Sequence, residues 1–99
     1  MGTLAEVEFV FDPRKNDLLL QRRGVSFLMV IEAIAEKGIL LNFDHPNQTR
    51  YPNQKVLVVE LKGYTYCVPY VVQGQTWFLK TIYPSRRFKH LLEGVDIDG

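Results

Sequence analysis

The chain has 99 residues, enough for one hydrophobic core but not for two. With 46% hydrophobic and 23% charged residues it has the balance of an ordinary soluble domain. Its longest apolar stretches are too short to cross a bilayer. A net charge of +1 hides an uneven distribution. Glu6, Glu8 and Asp12 stand at the start without a cation, and Glu93, Asp96 and Asp98 stand at the end without one. From Arg50 to Lys89 the charges are Arg50, Lys55, Lys62, Lys80, Arg86, Arg87 and Lys89, opposed only by Glu60. The single cysteine, Cys67, excludes an internal disulfide and a thiol metal site, and its neighbours Tyr66 and Val68 make it a small buried hydrophobe. The opening MGTLAEVEF lacks the positive region and the apolar run of a signal peptide, so a cytoplasmic location is expected.

In chain order, Val7 to Phe11 reads as a short strand. Asp12 is a good N-cap and Pro13 suits the first helical position, so a helix is expected from there to Arg23, stopped by Gly24. Ser26 caps a second helix in which Phe27, Val30, Ile31 and Ile34 recur at helical spacing. Met29 stands where a capping box would have Glu or Gln, so only half of that start signal is present. Gly38 ends this helix, and Ile39 to Phe43 follows as a short apolar run. Asp44 to Asn53, rich in proline, asparagine and aspartate, is a loop. Strands are expected over Lys55–Leu61, Tyr64–Val72 and Thr76–Ile82, joined by turns at Lys62-Gly63 and Gln73-Gly74-Gln75. Pro69 has no N–H to give a sheet ladder, so a bulge or an unpaired edge is expected beside it. Pro84-Ser85 opens a terminal helix running through Leu91 and Leu92 to Gly94. The order is that of a single α+β domain over residues 1–99, ordered from about 6 to 93. It has a short N-terminal strand, a two-helix hairpin, a three- to four-stranded antiparallel sheet and a short C-terminal helix, with the helices on one face.

The most basic stretch is WFLKTIYPSRRFKH, Trp77 to His90, which carries Lys80, Arg86, Arg87 and Lys89 and no acid. A strand that leads into such a cluster suits a polyanion, of which a nucleic-acid backbone is the commonest. On the last strand Phe78, Lys80 and Ile82 share one face and Trp77, Leu79, Thr81 and Tyr83 the other. Both sets are largely apolar, so alternation leaves the inward face open. Strand alternation would bring Lys62, Glu60 and Lys80 together on a face free of helices, with Arg86, Arg87, Lys89 and His90 at its rim. The arginines grip a phosphate with two hydrogen bonds each. Tyr51, Tyr64, Tyr70 and Tyr83 either stack unpaired bases or close the core with a wet hydroxyl. His45 reads as a solvated turn residue. His90 either transfers protons or extends the cationic face. No metal-ligand spacing, glycine-rich phosphate loop or Ser-His-Asp arrangement is visible.

FVFDPRKNDLLLQRRGVSF resembles the opening of the BrnT-like toxins of bacterial toxin–antitoxin systems. The matching features are the aromatic strand Phe9 to Asp12, the helix start Pro13 to Lys15, Arg23-Gly24, and the cap Val25-Ser26-Phe27. The later HPNQTRYPNQKVLVVELKGYTYCVPYV and FLKTIYPSRR look like a subgroup of those toxins. The resemblance spans about Val7 to Leu92. Tyr83, Pro84, Ser85, Arg86 and Arg87 stand for the family's Ile-Ser-Ala-Arg-Arg, with strict matches only at the two arginines. The resemblance implies a RelE/ParE-type fold, a ribonuclease that stops translation without metal or cofactor, and an antitoxin encoded alongside that covers the basic face. It also implies contact with operator DNA only through the antitoxin complex, and the short apolar stretches predict no contact with a membrane. The expected phosphate ligands are then Arg86 and Lys80, with Arg87, Lys62, Arg50 and Lys89 on the nucleic-acid backbone. Tyr83, His90 and Glu60 are the candidates for proton transfer. A non-catalytic module binding nucleic acid or an antitoxin is the alternative, and a gyrase-directed toxin on the same fold is a third.

Overall fold

The structure, a computed structural model, describes residues 6–93. Gly94, Asp96 and Asp98 lie outside them. β1 (Glu8–Phe11) runs directly into α1 (Pro13–Arg23). The turn is set by Asp12, whose Oδ1 accepts the Arg14 N–H at 2.9 Å. Gly24, at φ 71°, ends the helix and donates its N–H to the Leu20 carbonyl. α2 (Phe27–Lys37) starts at Ser26, whose Oγ accepts the Met29 N–H at 3.2 Å. A different unpaired donor of the first turn is met from the preceding helix, because Asn16 Oδ1 accepts the Phe27 N–H at 2.7 Å. That bond also fixes the angle of the helical hairpin.

The rest of the chain forms β2 (Leu41–Asp44), β3 (Gln54–Leu61), β4 (Tyr64–Gln73), β5 (Thr76–Leu79) and β6 (Tyr83–Pro84). The strand order is β1-β5-β4-β3-β2, with β6 paired to β4 beyond the end of β5. The sheet is therefore larger than the expected three or four strands, and it is mixed: β1 lies parallel to β5, Glu8 opposite Thr76 and Phe11 opposite Leu79. No local periodicity announces a pairing between segments so far apart in sequence. The β3–β4 turn does follow local chemistry. Lys62 (φ 55°) and Gly63 (φ 77°) both adopt positive φ, as a two-residue hairpin demands.

The expected strand from Thr76 to Ile82 stops at Leu79. Between the Tyr70–Leu79 and Cys67–Tyr83 pairs, two residues of β4 (Val68, Pro69) face three of the returning chain (Lys80, Thr81, Ile82). This is a β-bulge opposite Pro69. The Pro69 carbonyl accepts the Lys80 N–H at 2.8 Å, so its ring nitrogen, which has no proton to give, faces the bulge as well. The extra residue resets the alternation. Leu79 and Ile82 both point into the core, and Tyr83 points to the other face.

One face of the sheet carries Leu57, Val59, Leu61, Val68 and Tyr70, packed against Leu19, Val25, Phe27, Val30 and Ile34 of the helical layer. The opposite face is not left open. Val56, Val58 and Cys67 form a second cluster covered by Leu40, Phe43, Phe88 and Leu91. The terminal segment supplies Phe88 and Leu91 of that cover, and it is not one continuous helix. Tyr83–Pro84 remains strand, Arg86–Phe88 is a 3₁₀ turn, and α3 spans only His90–Glu93. Two bonds tie its start to β4: Ser85 N–H to the Thr65 carbonyl at 3.0 Å, and Thr65 Oγ1 to the Ser85 carbonyl at 2.7 Å. Phe88 and Leu91, three apart, then meet the apolar patch, each half-buried and contributing about 1–2 kcal/mol. Among the described residues no helix is long and apolar enough to cross a membrane.

Candidate functional site

β6 and the 3₁₀ turn open a cleft of about 280 Å³ against the tip of β2. Its polar lining is His45, Cys67, Tyr83, Ser85 and Arg87, and its floor is Phe43, Val56 and Phe88. The bulge turns Tyr83 to this face, where it stands opposite Cys67. Thr65 holds Ser85 at the rim. Arg87 lies with its guanidinium carbon 5.5 Å from the centre of the Phe88 ring.

His45 comes from the loop between β2 and β3, which is ordered by its own polar side chains. Gln48 Nε2 donates to the His45 carbonyl at 2.8 Å and to the Gln54 carbonyl at 3.1 Å, and Asn47 Oδ1 accepts the Arg50 N–H at 3.0 Å. The Asn47 N–H donates to His45 Nδ1 at 3.0 Å. The neutral ring then carries its proton on Nε2 and offers a donor rather than a lone pair. Tyr51 lies 4.5 Å from His45 between ring centres, and the Arg50 guanidinium carbon is 5.6 Å from the Tyr51 ring centre. Arg50 is therefore linked to His45 through Tyr51 but does not itself line the cleft.

Burial pushes the Cys67 thiol up, against the pull of hydrogen bonds with Ser85 and Tyr83 and of the Arg87 charge. The Tyr83 hydroxyl is also pushed up, first by burial and then by Cys67, although the residue as a whole is 38% exposed. Both groups therefore remain protonated at neutral pH. Arginine, tyrosine, serine and the histidine Nε2 all present donors, and among the described residues no carboxylate lines the cleft. Such a lining suits an anion.

The other expected site residues are distributed more widely. Lys80 shares the sheet face of the cleft but not the cleft itself: its Nζ sits 4.8 Å from the centre of the Phe78 ring, beside the bulge. Lys89 Nζ is 5.9 Å from the Tyr64 ring centre. Arg86 and His90 are exposed and do not line the cleft. Glu60 and Lys62 do not join Lys80. The Glu60 carboxylate pairs with Lys37 Nζ at 3.3 Å, and Lys62 Nζ donates to the Gly24 carbonyl at 2.7 Å. Both are drawn to the end of the sheet where the helical layer meets it. The expected single cationic surface is therefore divided, although Lys80, Arg86 and Arg87 form no ion pair with any carboxylate among the described residues.

Sequence reasoning missed His45 and Ser85. The signal for His45 was its place between β2 and a loop dense in Asn and Gln, residues that tie a loop to itself. For Ser85 it was a buried threonine on the neighbouring strand. Among the described residues, no three His, Cys, Asp or Glu side chains approach closely enough to hold a metal ion. Comparison of the chain with protein-family models, with curated proteins and with solved structures gives no match.

Proposed function

We propose that this chain is the toxin of a bacterial type II toxin–antitoxin pair, a small metal-independent ribonuclease with a RelE/ParE-like fold, and that the Tyr83–Arg87 cleft is where it cuts. The observation that carries the reading is the gathering of Arg87, Tyr83, Ser85 and His45 in one cleft that no carboxylate lines among the described residues. In RNA cleavage of this kind the 2′-hydroxyl attacks the adjacent phosphorus, the bond to the 5′ oxygen breaks, and a 2′,3′-cyclic phosphate remains. Charge builds on the phosphoryl oxygens, where the Arg87 fork and the Ser85 hydroxyl are at hand. The departing 5′ oxygen needs a proton, and the Tyr83 phenol in the cleft, protonated at neutral pH, is placed to give one. Among the described residues no carboxylate lines the cleft, and the proton of the attacking hydroxyl passes to solvent.

Aromatic rings beside the cations, Phe78, Phe88, Tyr51 and Tyr64, support a single-stranded partner whose bases stack. A cognate antitoxin would silence the protein by covering Arg87 and Phe88, and operator DNA would be reached only through that complex. The test is to incubate the purified protein with single-stranded RNA and look for cyclic-phosphate ends, with Arg87→Ala as the paired variant. A second reading, a non-catalytic module that binds RNA or the antitoxin, is favoured by one observation: Lys37 occupies the only carboxylate considered for proton transfer. Intact RNA and normal growth on induction of folded protein would establish that reading instead.

A further inference from the structure

The bulge has a second side. While Lys80 turns to the Phe78 face, Thr81 lines a small cleft of about 70 Å³ against α1. The other walls are Lys15, Leu18, Leu19, Arg22 and Arg23. Lys15 and Arg22 are seven residues apart on one helix, so they stand two turns apart on the same face, at the two ends of the Leu18–Leu19 floor. Arg23 reaches over to donate to the Ile82 carbonyl, which fixes the bulge against the helix. Among the described residues Lys15 and Arg22 pair with no carboxylate and no acid lines the cleft. Two unpaired cations and a hydroxyl around a space this small are the complement of one tetrahedral anion.

We infer that the cleft between α1 and the bulge is a phosphate seat for a polyanionic chain, which passes round the sheet edge from Arg22 and Lys15, over Thr81 and Lys80, to the Arg87 cleft. The seat rests on the proposal that the Arg87 face binds RNA, but not on cleavage. It gives the cations of α1 a role that the cleft on the other face leaves unused. It also explains how Lys80, detached from Arg87, still lies on the same path.

The test combines two measurements on the full chain. The salt dependence of binding to a short labelled single-stranded RNA is recorded for wild type, for Lys15→Gln/Arg22→Gln, and for Arg14→Gln as a helix cation outside the cleft. Emptying a seat that neutralises one phosphate of a single strand lowers the slope of log affinity against log salt by about 0.7. Arg14→Gln should leave that slope unchanged. Inorganic phosphate titrated by NMR should shift the Thr81 amide in wild type and not in the double variant, with matching circular dichroism showing that both are folded. An unchanged slope with no phosphate shift overturns the seat. A phosphate shift with an unchanged slope overturns the backbone path and leaves a site for free phosphate only. RNA that binds with the expected slope change but stays intact refutes cleavage and retains the seat.

Discussion

Lys62 discriminates between a residue that binds and one that holds the fold together. Its Nζ donates to the Gly24 carbonyl at 2.7 Å, across the end of α1, where the helix presents unpaired carbonyls and partial negative charge. Lys62→Met keeps an unbranched chain at the same positive φ, so the backbone cost cancels and only the bond is lost. An exposed charge-assisted hydrogen bond at a helix C-terminus is worth about 1 kcal/mol. For a domain of this size that lowers Tm by about 4–8 °C. Gly24→Ala attacks the same contact from the other side. It puts a Cβ into left-handed backbone (φ +71°) at a cost of about 1–2 kcal/mol, 3.4 Å from Lys62 Nζ. Because both changes disturb one bond, the double variant should lose less stability than the sum of the singles. Thermal melts of the four proteins measure this, and the RNA salt slope of Lys62→Met should match wild type. An unchanged Tm together with a slope lower by about 0.7, the mark of one lost phosphate contact, would refute the structural role.

Glu60→Gln removes a partly exposed ion pair with Lys37, so it should change stability by under about 1 kcal/mol and leave RNA cleavage at the wild-type rate. Thr65→Val keeps the β-branched shape but breaks the bond to the Ser85 carbonyl, and melting should show a loss of about 1 kcal/mol. Stability should also fall at alkaline pH. Cys67, Tyr70 and Tyr83 are all raised in the folded protein, chiefly by burial, and Lys55 is raised by its hydrogen bond to Asp44. The folded state therefore keeps protons that the unfolded chain has released. The stability these groups contribute is complete below the ordinary thiol value of 9.0 and is lost as pH climbs past it. Melts recorded across that range should show a plateau and then a decline, and a Tm rising with alkali would contradict the burial of these groups.

The first 38 residues were legible because their signals are local. Asp12-Pro13, Gly24, Ser26 and Gly38 each act within one turn of a helix, and the helices begin and end there. The Lys62-Gly63 hairpin was legible for the same reason. Pro69 announced a defect in the sheet but not its form, since a missing N–H leaves open which chain bulges and by how much. Pairing of β1 with β5 depends on which distant segment offers the better apolar partner, and no spacing records that. The basic run Lys80 to Lys89 was visible as composition only. Its division followed from one inserted residue at the bulge, which sent Lys80 and Arg87 to different neighbours, and from Phe88 and Leu91, which drew the terminal segment onto the second face. His45 was hidden because a loop dense in asparagine and proline reads as irregular whether or not its side chains tie it down.

The most direct test is the rate at which Arg87→Ala cuts a short single-stranded RNA, read as cyclic-phosphate product beside wild type and His90→Ala. Loss of one preorganised donor at the developing charge should slow cleavage by about 10²–10³-fold with Tm little changed, while His90→Ala, which lies outside the cleft, cuts normally. Cleavage by Arg87→Ala at the wild-type rate, or its loss in His90→Ala instead, would contradict the placement of the reaction in the Tyr83–Arg87 cleft.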